Sequence, residues 1–183
     1  MNFLKRLNLP LVVRRAPLPD GALLNFYRGN EVQDSLRIGP NMVHAMVIHP
    51  DGTVTDCGVS QNLITDAGID AVAAAHNGTA FAAKYMAVSN SAVAPSASDT
   101  SLASELSTNG FDRDTSTYAH TGGTGTLTMV SSWTATGTVS GIHKMGLFSA
   151  ASGGTLVYTT AFSVDADVTA DDTLEVTDTI TLS

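Results

Sequence analysis

The chain predicts a mainly β protein: a β-sandwich or barrel-like domain with one short α-helix and an extended N-terminal arm. Three observations carry this expectation. From residue 113 onward, short threonine-rich runs alternate apolar with polar residues and are separated by glycine turns, the spacing of sandwich and barrel strands. One stretch, 65–76, changes to a helical period. Pro10, Pro17, Pro19 and Pro40 punctuate the front of the chain, and no regular helix of useful length fits around the last three.

Residues 1–41 read as the arm. They hold too many apolar residues, among them Leu7, Leu9, Leu11, Val12, Val13, Phe26 and Tyr27, for a linker that never buries surface. The arm is therefore expected to extend and to order on a partner, with one helical turn over 2–8 as an alternative for its start. Charge separates it from the rest. Residues 1–40 carry six basic and three acidic side chains, a net +3, whereas 41–183 carry three basic and fourteen acidic ones, a net −11. A basic arm on an acidic body suits docking on an acidic surface, including a neighbouring copy of the chain. Lys5, Arg6, Arg14 and Arg15, with Phe26 and Tyr27, are the candidate partner-binding residues.

Residues 42–183 form the predicted body. The run 42–49, the turn Pro50, Asp51, Gly52 and the run 53–59 make a hairpin. Thr65 or Asp66 caps a helix in which Ile69, Val72 and Ala73 share a face, and Asn77 with Gly78 ends it. A strand over 84–89 follows, then a loop over 90–98, after which Ser98 or Asp99 is expected to cap a short helical turn carrying Leu102 and Leu106. Strands are then predicted over 113–119, 125–133, 139–148, 155–162 and 173–182, with turns at 121–124 and 151–154.

In the closing strand Leu174, Val176, Ile180 and Leu182 fall on one face, and Thr173, Glu175, Thr177, Thr179 and Thr181 on the other. Asp178 breaks the apolar face. A carboxylate there requires a partner or an exit to solvent, which points to a strand at a sheet edge or at a subunit contact.

The chain holds few groupings of residues that could carry chemistry. The five histidines, His44, His49, His76, His120 and His143, lie in no metal-binding spacing, and Cys57 has no second cysteine to complete a zinc site. Asp165, Asp167, Asp171 and Asp172 lack the glycine and terminal glutamate of a calcium loop, and read as a solvated loop between strands. No serine sits in a Gly-x-Ser-x-Gly elbow, and the glycines at 122–125 lack the lysine and helix of a phosphate loop. Trp133, on an alternating strand, reads as core, with a carbohydrate platform as the alternative. The expectation is a non-enzymatic chain with no cofactor and no metal. Four basic residues near the start of an acidic protein do not make a nucleic-acid surface.

Composition agrees with a structural role. Charged residues are only 14% of the 183, well below the roughly 25% of an ordinary soluble domain, so much surface is available for burial against neighbours. The lone Cys57 excludes an internal disulfide and reads as a small buried residue. The apolar run 7–13 is short, is broken by Pro10 and is followed by Arg14 and Arg15, unlike a secretory signal. No run approaches the roughly 20 residues of a membrane span. The expected place of synthesis and assembly is a cytosol.

From Asn62 onward the order of blocks resembles a group of tailed-bacteriophage virion proteins. The blocks are 62–68 (NLITDAG), 84–89 (KYMAVS), 94–102 (APSASDTSL) followed by Glu105, 141–149 (GIHKMGLFS), 152–156 (SGGTL), 160–162 (TAF) and 172–174, closing on the alternating strand. The resemblance covers about two thirds of the chain and leaves out the first 60 residues. It implies a virion structural protein assembled in the host cytoplasm: a capsid decoration or cement protein, or alternatively a tail-fibre or baseplate adaptor involved in host recognition. The implied partners are the major capsid protein or other virion proteins and sister copies, in a homo-oligomer for which a trimer is one arrangement. Neither nucleic acid nor membrane is among them.

Overall fold

The computed structural model describes residues 14–18, 21–28, 31–34 and 41–182. At the front, β1 (Arg14–Leu18), β2 (Gly21–Arg28) and β3 (Glu31–Asp34) pair as an antiparallel meander in the order β1-β2-β3. The backbone expected as an arm is extended over these residues, but its strands pair with one another. The helical turn considered for 2–8 lies outside the described residues.

The body is a two-layer β-sandwich and not a closed barrel. Its strands are β4 (Met42–Ile48), β5 (Val54–Gln61), β6 (Leu63–Ile64), β7 (Tyr85–Ser89), β8 (Asp114–Thr115), β9 (Thr117–His120), β10 (Thr126–Thr134), β11 (Val139–Phe148), β12 (Leu156–Val168) and β13 (Thr173–Thr181). One sheet has the order β5-β4-β13-β10-β9 and the other β6-β12-β11-β7-β8, every pairing antiparallel. Alternation puts Val43, Ala45, Val47, Met129, Trp133, Leu174, Val176 and Ile180 of the first sheet against Met86, Val88, Ile142, Met145, Leu147 and Phe162 of the second. The closing strand is central, held between β4 and β10, so the sheet-edge position expected from Asp178 is corrected.

The hairpin β4-β5 turns where Pro50, Asp51 and Gly52 require it. Asp51 Oδ1 accepts from the backbone N–H and the hydroxyl of Thr53, and Gly52 has φ +84°.

The helix, α1 (Asp66–His76), also begins as its sequence dictates: Thr65 Oγ1 accepts from Gly68 N at 2.9 Å, and Gly78 beyond its end has φ +83°. Its buried face differs from expectation. Ile69 is 36% exposed and Ala73 is exposed, while Gly68 is the buried residue. Gly68 lies against the backbone of Val157, where an added Cβ would meet the Val157 carbonyl oxygen at 2.5 Å. Thr65 Oγ1 donates to Leu156 O, so the cap joins the helix to β12. Close approach of two backbones decides this face, not side-chain periodicity.

Two further expectations are corrected. Residues 98–106 form turns and not a helix: Asp99 Oδ2 reaches back to accept from Ser96 N, while Leu102 packs on the outer face of the second sheet with Ala87, Phe148 and Leu156. β12 continues to Val168, six residues past its predicted end, so Asp165 and Asp167 lie on a strand and only Asp171 and Asp172 in the turn that follows.

Glycine at 68 gives a direct test. Gly68→Ala should destabilise the protein by about 1–3 kcal/mol through overpacking against Val157, read as a lowered midpoint in thermal denaturation. Gly122→Ala, where nothing lies within 4 Å, should stay within about 0.5 kcal/mol of wild type.

Candidate functional site

The predicted partner-binding residues fall in the front part. Lys5 and Arg6 lie outside the described residues. Arg14 and Arg15 open β1, in register with Asn25 and Leu24, and Phe26 and Tyr27 stand on β2 opposite Asp34 and Val32. The small sheet therefore brings the two arginines and the two aromatics onto neighbouring strands.

In the body, side chains that could have carried chemistry are occupied in holding strands together. His44 Nε2 pairs with Asp56 at 2.9 Å, His49 Nδ1 with Asp172 at 2.8 Å, and His143 with Asp165, each histidine meeting one carboxylate. Asp172 accepts from Thr169 N and from His49, and these bonds hold its pKa below the usual carboxylate value; Asp56 is lowered in the same way by Gly58 N and His44. Asp167 Oδ1 accepts from Gly141 N. Among the described residues, His, Cys, Asp and Glu nowhere gather in threes at metal-binding distance. Cys57 is fully buried, and burial pushes its thiol pKa up. Trp133 is 3% exposed and donates its indole N–H to Asp112 O at 2.7 Å, so it is core and offers no carbohydrate platform.

Two features remain. The first is Asp178, fully buried at the middle of the central strand. Asn62, between β5 and β6, donates Nδ2–H to Asp178 Oδ2 at 2.9 Å, and its own backbone N–H is fixed by Asn41 O at 2.8 Å. The other oxygen of each side chain, Asn62 Oδ1 and Asp178 Oδ1, is buried without a partner. Both are acceptors while the carboxylate is ionised. A proton on Asp178 supplies the donor the pair lacks. Burial pushes the Asp178 pKa up to about 7 against the lowering effect of the Asn62 bond, and burial followed by the Asp178 charge pushes Tyr158 up to about 12.

The second is an apolar recess of about 420 Å³ at one end of the sandwich. It lies between the ends of β10 and β13 on one side and of β11 and β12 on the other, with Val72 of α1 and residues 81–84 beside it. Phe81, Leu127, Met129, Leu147, Ile180 and Leu182 form most of its wall; its polar side chains are Tyr118, Tyr158 and Lys84. Asp178 on the apolar face was the sequence signal for the first feature. The recess had none, because six elements spread along the chain build it.

Neither protein-family models, nor curated proteins, nor solved structures give a match to this chain. Among the described residues no helix is long and apolar enough to cross a membrane.

The buried pair sets a pH dependence. The folded-state pKa of Asp178 is raised, so the folded state binds more protons than the unfolded one between the ordinary carboxylate value near 4 and about 7. The stability due to this group is complete below that window and is lost as pH rises through it, at no more than about 1.4 kcal/mol per pH unit. Asp178→Asn, whose amide can exchange two hydrogen bonds with Asn62 at any pH, should remove that loss. Urea unfolding at pH 5, 6, 7 and 8 should show wild type falling relative to the variant; parallel profiles would contradict the assignment.

Proposed function

We propose that this chain is a non-enzymatic structural protein of a tailed-bacteriophage virion, a capsid decoration protein. Its β body sits on the shell, and its N-terminal arm ties it to capsid protein or to sister copies. One observation carries the reading. The blocks that resemble phage virion proteins are scattered over a hundred residues, yet in the fold most of them lie in or against one sheet. Residues 62–68 are β6 with the start of α1, 84–89 are β7, 141–149 are β11, and 152–162 lead into and form part of β12. These make the β6-β12-β11-β7 layer. The block 94–102 crosses the outer face of that layer at Leu102, and Glu105 holds Arg113, whose guanidinium stacks 3.6 Å from the centre of the Phe148 ring. That most of the series falls in one layer, with only the closing strand β13 in the facing sheet, supports reading these blocks as parts of one folding unit.

The physical character of the body supports the same reading. Its carboxylates and histidines tie strands to one another, the chain's charged residues are few, and its arm and body carry opposite signs. Such a part serves by staying in place.

Three measurements test the proposal. Purified full-length protein should co-sediment with capsids that lack it, whereas a chain without residues 2–20 should not; full decoration by the truncated chain would remove the arm from the account. Replacing Lys5, Arg6, Arg14 and Arg15 together by alanine should weaken binding at least tenfold at low salt and flatten its salt dependence. Copy number per particle separates decoration, with hundreds of copies, from a tail-fibre or baseplate adaptor, with a handful.

A further inference from the structure

The recess at the end of the sandwich is an unfinished part of the core. Leu147 and Met129, members of the main core cluster or buried with it, form its inner wall, while Leu182 at its rim is 40% exposed and Tyr118, in register with Met129 on the edge strand, is 59% exposed. A wall of this composition is suited to apolar side chains and offers a charged ligand only Lys84.

The path of the chain brings a candidate occupant to this rim. The body begins at Asn41, whose Oδ1 accepts from Thr181 N at 3.1 Å. Thr181 stands between Ile180 and Leu182, two residues of the recess wall. Within the front sheet, the start of its first strand and the end of its last lie close together. Arg14 pairs with Asn25 and Asp34 with Phe26, on opposite sides of β2 and almost level. Two strand spacings separate them, about 10 Å. Asp34 is joined to Asn41 by residues 35–40, which span at most about 25 Å. The segment just ahead of Arg14 is thus tethered within reach of the rim.

That segment has the matching chemistry. Residues 7–13 read LNLPLVV, with no charge, and they are bounded by Lys5 and Arg6 on one side and Arg14 and Arg15 on the other. The aliphatic side chains can enter an apolar recess without burying a charge, and the basic pairs can stay in water. Tethering gives the segment a high effective concentration at its own body compared with a free ligand. We propose that residues 7–13 seat in the recess of the same molecule and complete its core. This goes beyond the virion reading and does not depend on it, since the contact is within one chain.

The test uses purified full-length protein without capsids, in a Cys57→Ala background. Leu11→Cys combined with Leu182→Cys should form an intrachain disulfide at least tenfold faster than Leu11→Cys combined with Val54→Cys, a position on an edge strand at the opposite end of the sandwich. Equal rates, or disulfides only between chains, would overturn the proposal; the second result would give the recess to the segment of another copy. A cysteine-free measurement guards against a folding defect. Leu9→Asp with Leu11→Asp should leave the far-ultraviolet circular dichroism unchanged and raise the fluorescence of added anilinonaphthalene sulfonate severalfold, as the recess is vacated. Fluorescence at the wild-type level would show that the segment never covered it.

Discussion

The first sheet depends on the last strand. β13 pairs with β4 along Thr173 to Thr179 and with β10 along Thr173 to Thr181, so it joins two hairpins that otherwise share no edge. Residues near position 42 and near position 179 must meet before the sheet exists. Contacts so distant in sequence make folding slow, because loop closure precedes the gain from pairing. They also explain the composition of the strand. A central strand needs both neighbours, and Thr173, Thr177, Thr179 and Thr181 are β-branched residues that fit a pleated, half-buried face. Asp178 occupies the centre of this junction. Its bond to Asn62 crosses from the first sheet to the start of the second, so this buried carboxylate is also a tie between layers.

The second sheet has a different problem, since both of its faces are apolar. One packs in the sandwich and the other, at Ala87, Phe148 and Leu156, is covered by the loop that carries Leu102. Gly146 leaves room on that face for the side chains beside it: an added Cβ would meet Leu156 Cδ1 at 2.8 Å and Phe148 Cε2 at 3.1 Å. Arg113 fastens the loop by pairing with Glu105 and donating to Ala150 O and Gly153 O while lying over Phe148. These bonds turn a long irregular segment into a fixed layer.

Much of this was legible in the sequence where the determinants are local. Pro50, Asp51 and Gly52 specify a hairpin by themselves, and Thr65 marks the first turn of a helix whichever face is buried. Two-residue alternation found most strands of the body and the inner face of β13, but the run 113–119 is divided between β8 and β9, which belong to different sheets. What escaped depends on distant contacts. The partner of Asp178 is 116 residues away, so the sequence shows the need for a partner but not Asn62, and of the two positions it suggests, a sheet edge or a subunit contact, the edge is excluded by β4 and β10 on either side. Ile69, Val72 and Ala73 have helical spacing, yet the helix turns Gly68 inward because only a residue without a Cβ fits against Val157. Asp165 and Asp167 suggested a loop, but on an outward-facing strand side they meet His143 and Gly141 N and the strand runs on. Of the candidate site, the sequence supplied the basic and aromatic residues of the arm and the anomaly at Asp178, and nothing of the recess.

The bond between Asn41 and Thr181 has a geometric consequence of its own. It places the root of the N-terminal part beside the last strand, at the end of the sandwich where the 121–124 turn also lies. The opposite end holds the turns at 49–53 and 169–172, tied together by His49 and Asp172, with Ala135 bonded to both Asp171 and Asp172. With strands of seven to nine residues between them, the two ends stand about 25 Å apart. The body therefore has a polarity: one end is tethered and the other is all turns. The His49 and Asp172 end lies farthest from residue 41, so sequence changes in those turns leave the junction with the front strands untouched.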